Sequence, residues 1–192
     1  DLGRCVFCRD CARACPNGAI AFTSRHRCGA TSRETLVVAP GQAAEAYEAK
    51  AIAACDEVRR LFGRSLKLRQ VSAAGCNGCE MELAAAGNVN FDMGRFGIDF
   101  VASPRHADGV VITGPVSRNM APALRDTWLA VPRPRIVIAA GACAISGGLF
   151  ADSPELDRSF FEQVPVDLYV PGCPPHPLTF IHSVLKFIGR MG

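Results

Sequence analysis

Between residues 64 and 192 the apolar positions fall into short runs separated by longer, mixed stretches. Leu66–Ser72 alternates apolar and polar side chains, the period-two pattern of a strand. Asp108–Thr113 and Arg135–Ala140 are almost continuously apolar, as strands covered on both faces are. Val166–Val170 and a short run at Phe100–Ala102 complete five predicted strands. Between and after them, helical patterns run from about Cys79 to Ala86, where Gly87 stops the helix, and over Met120–Ala130, with Trp128 on the packed face. Two more cover Leu156–Gln163 and His176–Ile188. Strands alternating with helices predict an α/β fold, a flavodoxin-like parallel sheet with helices on both faces.

Ahead of this block the pattern changes. Gln42–Phe62, rich in Ala, Glu, Lys and Arg, reads as one helix that Gly63 ends, with Cys55 as a small apolar residue on it. Residues 25–41 are polar, interrupted by Gly29, Pro40 and Gly41, and read as a linker that contains Cys28. Residues 1–24 form a further small segment, so the expected organisation is 1–24, 25–63 and 64–192.

The ends of the predicted strands carry the chemistry. Leu66–Ser72 leads into Gly75-Cys76-Asn77-Gly78-Cys79-Glu80, Arg135–Ala140 into Gly141-Ala142-Cys143, and Val166–Val170 into Pro171-Gly172-Cys173-Pro174-Pro175. Ligands of open α/β sheets bind beyond the carboxyl ends of the strands, so one site can receive the sulfurs of Cys76, Cys79, Cys143 and Cys173. Gly78 would relieve backbone crowding around a bulky inorganic core. Thiolates are soft ligands that suit iron–sulfur iron or zinc. Structural zinc is the competing reading, but such sites usually form from two compact ligand pairs, unlike these long separations.

A second set lies in the first segment. Cys5, Cys8, Cys11 and Cys15 form C-x2-C-x2-C-x3-C closed by Pro16, the spacing of bacterial 4Fe–4S ferredoxins. Three ligand sets are open there. All four bind one cluster; or Cys15 serves a cluster whose other ligands precede Asp1, and an upstream cysteine completes Cys5, Cys8 and Cys11; or Cys28 is a substitute fourth ligand. Two cluster patterns on one chain imply electron relay. Glu80 and Glu82 flank the downstream pair and have two readings, a proton relay beside a cluster or an ordinary charge at a helix N-terminus.

Composition narrows the class. The chain has 192 residues, ten of them cysteine, and is 49% hydrophobic and 20% charged, which suits a filled globular core. The net charge of +3 comes from scattered basic residues, so no nucleic-acid partner is expected. No apolar run approaches the ~20 residues of a transmembrane helix. The chain begins at Asp1 rather than Met, which leaves room for a preceding segment. The C-x2-C spacings point to metal thiolates in a reducing compartment rather than to disulfides.

Four motifs in one order carry a resemblance: Gly75-Cys76-Asn77-Gly78-Cys79-Glu80, Ser103-Pro104-Arg105-His106-Ala107-Asp108, Gly141-Ala142-Cys143 with Gly147-Gly148, and Val170-Pro171-Gly172-Cys173-Pro174-Pro175. Over about residues 66–189 the chain resembles the small subunits of membrane-associated group 4 NiFe hydrogenases, formate hydrogenlyase included, and the related 20 kDa (B) subunit of respiratory complex I. The complex I branch resembles a tandem Cys-Cys at the first ligand pair, whereas Cys76-Asn77-Gly78-Cys79 looks like the hydrogenase branch. The resemblance implies that Cys76, Cys79, Cys143 and Cys173 hold a proximal 4Fe–4S cluster beside a NiFe centre in a separate large subunit. It also implies other iron–sulfur and membrane subunits, and a peripheral position on the cytoplasmic face of a membrane. Asp1-Leu2-Gly3-Arg4-Cys5-Val6-Phe7-Cys8 resembles the second run of the two-cluster ferredoxin-like subunit of the same complexes. The expected function is an electron-transfer subunit of a hydrogenase-like oxidoreductase. Its rivals are a complex I-like subunit passing electrons to quinone and a zinc-stabilised assembly module without redox activity.

Overall fold

The computed structural model describes residues 1–53 and 56–191. Five strands, β1 (Leu66–Ser72), β2 (Ile98–Phe100), β3 (Gly109–Thr113), β4 (Ile136–Ala140) and β5 (Leu168–Val170), form one parallel sheet in the order β2-β1-β3-β4-β5. This is the flavodoxin-like order expected from the alternation of strands and helices. β3 and β4 are buried at every position, which explains their unbroken apolar sequence.

Because successive strand residues point to opposite faces, each strand feeds two cores. Ile136, Ile138 and Ala140 of β4 pack on one side with Val111 of β3, Leu83 and Ala86 of α4 (Gly78–Ala86), and Phe180, Val184 and Leu185 of α8 (Pro177–Phe187). Val137 and Ala139 pack on the other side with Val110 and Ile112 of β3. That second core is closed by Leu124 of α5 (Ala121–Ala130), Ala144 and Ile145 of α6 (Ala142–Ser146) and Phe160 of α7 (Ser159–Gln163).

Several boundaries differ from the sequence pattern for physical reasons. The single helix expected over Gln42–Phe62 is two, α2 (Ala44–Ala51) and α3 (Asp56–Phe62). Ile52 is extended, with φ −118° and ψ 111°. Tyr47 and Ala51 serve one core whereas Ile52 and Phe62 serve the other, and one straight helix could not reach both faces of the sheet. Cys55, expected on that helix, lies outside the described residues. The strand expected at Phe100–Ala102 is shifted to Ile98–Phe100, which puts Ile98 in the core and leaves Ala102 exposed. β5 begins at Leu168 because the Asp167 carboxylate takes the Val137 N–H at 2.7 Å. The helix expected from Leu156 begins at Ser159, since Leu156 bridges to Ser117 and the Asp157 N–H goes to the Val116 carbonyl.

The stretch expected to be a linker is instead a strap. Ala30 pairs antiparallel with Tyr169, exchanging backbone bonds of 3.0 and 2.8 Å, and so covers the open edge of β5. The Tyr47 hydroxyl donates to the Cys28 carbonyl at 2.9 Å, and Lys186 of α8 donates to the Glu48 carbonyl. Arg33 pairs with Asp1 at 2.7 Å and Leu2 N–H reaches the Leu36 carbonyl at 2.8 Å, which fixes the start of the chain to the same strap. Gly29 is where strap and α8 come closest: a Cβ there would lie 2.1 Å from Ser183 Oγ. We predict that Gly29→Ala lowers stability by about 1–3 kcal/mol through overpacking, read as a lower denaturant midpoint of the anaerobically purified protein, and that adding Ser183→Gly restores most of it. An unchanged midpoint in the single variant would show that the strap is not pressed against α8.

Candidate metal centre

The parallel register brings four strand ends to one level: Ser72 of β1 lies beside Thr113 of β3, and Ala140 of β4 beside Val170 of β5, with β3 and β4 paired in register. Beyond β1 the chain turns through Ala74 (φ 71°) and Asn77 (φ 68°), both left-handed. Asn77 caps α4, so Cys76 stands just before the helix and Cys79 in its first turn. Beyond β4, Gly141 opens α6 and sets Cys143 in its first turn. Beyond β5, Gly172 leads directly to Cys173. These turns bring Cys76, Cys79, Cys143 and Cys173 to one cavity of about 80 Å³, which Gly75, Gly114 and Glu80 also line. It lies next to β1 and β3, the place where strand order reverses and where such sheets bind ligands.

The sulfurs act on one another. Burial pushes the Cys79 thiol up to about 12, and the charges of Glu80, Cys143, Cys173 and Cys76 add to the effect. Cys143 is raised by burial, then by Cys173 and Cys76; Cys173 is raised by burial, then by Cys76 and Cys5. Thiols crowded in this way give up their protons readily only to a bound cation, as metal-ligand thiols do. Among the described residues no three His, Cys, Asp or Glu side chains are grouped closely enough to hold a single metal ion. The four cysteines share the lining of one cavity.

Among protein atoms, the tightest glycine approaches to the sulfurs are at Gly141 and Gly148 rather than at Gly78. A Cβ on Gly78 would sit 3.5 Å from Cys76 Sγ, an ordinary contact. A Cβ on Gly141, whose φ is 92°, would sit 2.6 Å from Cys79 Sγ, and one on Gly148 2.9 Å from Cys143 Sγ. Position 141 therefore needs glycine both for its backbone and for its neighbour.

Glu80 is buried and accepts the Thr113 hydroxyl at 2.6 Å. Burial pushes its carboxyl up, but the Ser72 and Thr113 hydroxyls and its own N–H outweigh that and leave it below the usual carboxylate range. Glu82 is half-buried and does not line the cavity, so only one of the two glutamates reaches the site.

Arg158 escaped the sequence reading. Its guanidinium donates to the carbonyls of Pro115 (3.2 Å), Cys143 (3.2 Å), Ala144 (2.8 Å) and Ile145 (3.2 Å), and lies 4.7 Å from the Phe161 ring. It thereby ties the loop after β3 to the end of α6, the five-residue helix that carries Cys143. All its hydrogen-bond partners are backbone oxygens, which leave no mark in an amino-acid sequence.

The N-terminal run is more open. Cys8 is exposed, as is Cys11, which lies on the short helix α1 (Asp10–Ala14). Cys5 Sγ accepts the Phe7 N–H at 3.3 Å, and Cys15 Sγ the Ala19 N–H at 3.3 Å. Amide donors, Ala19 first and then Asn17, hold the Cys15 thiol below its usual value, and no other thiol contributes. Cys5 does not line the downstream cavity; it lines a separate groove. Cys28 is half-buried and pushed up to about 11 by burial; its thiol is directed at the His26 carbonyl, 3.7 Å away. It shares with Cys5 the lining of a groove of about 500 Å³ between strap and N-terminal segment. His176 is the N-cap of α8, with Nδ1 accepting the Leu178 N–H at 3.2 Å.

Comparison with known proteins agrees with this geometry. Residues 1–21 match the family model of the 4Fe-4S binding domain. The chain is 40% identical over 132 residues to the probable membrane-bound hydrogenase subunit mbhJ of Pyrococcus furiosus, covering 69% of this chain and 79% of that protein. It is 46% identical over 129 residues to formate hydrogenlyase subunit 7 of Escherichia coli, covering 67% of this chain and only 50% of that longer protein. It is 43% identical over 114 residues to the NADH-quinone oxidoreductase B-type subunit of Geotalea daltonii, covering 59% of this chain and 66% of that one. Among solved structures, a chain of the membrane-bound sulfane sulfur reductase, an archaeal respiratory membrane complex, superposes with a TM-score of 0.59 at 30% identity, over 68% of this chain and 72% of that one. Residues 76–187, more than half of the chain and all four downstream cysteines, match the model described as NADH ubiquinone oxidoreductase, 20 Kd subunit, and the chain belongs to that family of 4Fe–4S-binding oxidoreductase subunits.

Proposed function

We propose that this chain is the iron–sulfur electron-transfer subunit of a membrane-associated, NiFe-hydrogenase-like complex, relaying electrons between a large-subunit active site and ferredoxin-type clusters. The observation that carries this reading is the meeting of Cys76, Cys79, Cys143 and Cys173 around one cavity at the ends of three parallel strands. The long separations of these cysteines along the chain, together with the family match, favour a 4Fe–4S core over structural zinc, whose sites usually form from two compact ligand pairs. When bound, such a core supplies one-electron redox chemistry; the protein holds it, shields it and sets its potential. The N-terminal run is the next station, with Cys5, Cys8 and Cys11 as ligands and Cys15 completing the set or serving a neighbouring cluster.

The partner face follows from the same geometry. Met81, Leu149, Phe150 and Leu178 are exposed apolar residues close in sequence to Cys79, Cys143 or Cys173. They suit a large subunit that closes over the cavity and carries the nickel and iron. Among the described residues no helix is long and apolar enough to cross a membrane, so membrane attachment on the cytoplasmic face would come through other subunits. The C-x2-C turn at Cys76-Asn77-Gly78-Cys79 favours the hydrogenase branch. Similarity to the NADH-quinone oxidoreductase relative keeps a second reading, transfer to quinone, which a partner without a nickel site would support. For Glu80, the Thr113 hydroxyl clamp and the position in the first turn of α4 favour a fixed charge at a helix N-terminus over a proton relay.

Metal analysis with low-temperature EPR tests the main reading. The anaerobically purified protein is expected to hold iron and sulfide with reducible cluster signals, and Cys173→Ala is expected to lose one signal while keeping the other. Zinc without reducible iron, or a Cys173→Ala variant with every signal intact, contradicts the assignment. For Glu80→Gln in the assembled complex, the expected result is a stability loss of about 0.3–1 kcal/mol with an unaltered pH profile of turnover. A rate loss of ~10²-fold or more would restore the relay reading.

A further inference from the structure

Arg158 has the surroundings of a cation held for a purpose beyond packing. It is half-buried and takes part in none of the ion pairs found among the described residues. The carboxylate next to it in sequence does not neutralise it: Asp157 accepts the Ser159 N–H at 3.0 Å and feels the charges of Arg125 and Arg118. The Arg158 guanidinium donates instead to the backbone carbonyl of Cys143 itself, at 3.2 Å. Its four carbonyl bonds fix the guanidinium at the end of α6, the helix whose first turn presents Cys143 to the cavity. Partly withdrawing a positive charge from water without a paired anion is unfavourable, so a protein that keeps one gains something from the charge.

We propose that Arg158 is the built-in counter-cation of the downstream thiolate site, holding its reduction potential up by stabilising the reduced form. This rests on the reading that Cys76, Cys79, Cys143 and Cys173 hold a 4Fe–4S cluster. Each electron accepted there adds one negative charge to a site that already carries four thiolates. A fixed cation nearby, in a medium of low dielectric, favours the more negative state. Net charge and solvent exposure around a cluster set its potential within a wide range, and Arg158 is the half-buried cation in contact with the backbone of a ligand residue. The carbonyl bonds also prevent the guanidinium from turning toward water, so the charge is present whichever redox state the site is in.

The test is an EPR-monitored potentiometric titration, with dithionite as reductant, of the protein purified anaerobically within its complex. Wild type is compared with Arg158→Gln, Arg158→Lys and, as an exposed control, Arg125→Gln. The downstream signal is the one that Cys173→Ala removes. The expected result is a shift of that signal in Arg158→Gln to more negative potential, by about tenfold in the reduced-to-oxidised ratio or ~59 mV for one electron. Arg158→Lys, which keeps the charge, and Arg125→Gln are expected to stay at the wild-type value. Loss of the signal from Arg158→Gln alone, with Arg158→Lys at the wild-type potential, supports the proposal equally. An unchanged potential in Arg158→Gln overturns it, because the charge is then not felt. Equal shifts in Arg158→Gln and Arg158→Lys, or loss of the signal from both, also overturn it, because the residue then acts through its hydrogen bonds alone. If wild type lacks a reducible signal that Cys173→Ala removes, the four-thiol reading itself fails and the proposal falls with it, an outcome visible before any Arg158 variant is measured.

Discussion

The register of the parallel sheet is the constraint on which everything else depends. Ser72 beside Thr113 and Ala140 beside Val170 set the ends of β1, β3, β4 and β5 at one level, and the loops that leave β1, β4 and β5 have only a few residues before their cysteines. A one-residue slip would exchange the two faces of a strand and withdraw its loop from the others. The register is protected because β3 and β4 are buried at every position and alternate residues fill two different cores. A four-thiol cavity is thus a consequence of sheet packing, with the local turns at Asn77 and Gly141 supplying the last adjustment.

Around that cavity charges of both signs are held in place. Burial raises the Cys79 thiol, and Glu80, held by Thr113, adds a fixed negative charge. Arg158 is held by carbonyls of the loop after β3 and of α6. Glycines occupy the positions where a side chain would strike Cys79 or Cys143 sulfur. The strap of residues 25–41 adds a second function to edge protection. It pairs with Tyr169 and lies against Ser183, and through Arg33 and Leu36 it holds Asp1 and Leu2, so the start of the chain is tied to the body.

Much of this was legible in the residues and some could not be. Apolar runs ending in glycine and cysteine announced both the sheet and its four-thiol site, because a buried parallel strand and a soft-metal loop each leave a direct compositional trace. The ferredoxin-like spacing of Cys5, Cys8, Cys11 and Cys15 did the same for the first segment. The break at Ile52 was not legible, since it arises from two helices serving opposite faces of a sheet far away in sequence. The strap read as a linker because its partners, the Tyr169 backbone and Ser183, lie well over a hundred residues downstream. Arg158 was invisible because it bonds to carbonyls, which every residue possesses. Of the two glutamates singled out beside the first cysteine pair, helical periodicity brings Glu80 to the cavity and leaves Glu82 outside it.

The proposed function places two iron–sulfur sites on one chain, one at Cys76, Cys79, Cys143 and Cys173 and one in the N-terminal run. The most direct measurement is low-temperature EPR of the protein with both sites reduced, compared with partial reduction. Close and fixed sites predict magnetic interaction, with broadened or split lines and faster relaxation that vanish when either site alone is reduced. A fully reduced spectrum that is the plain sum of two independent signals would contradict it.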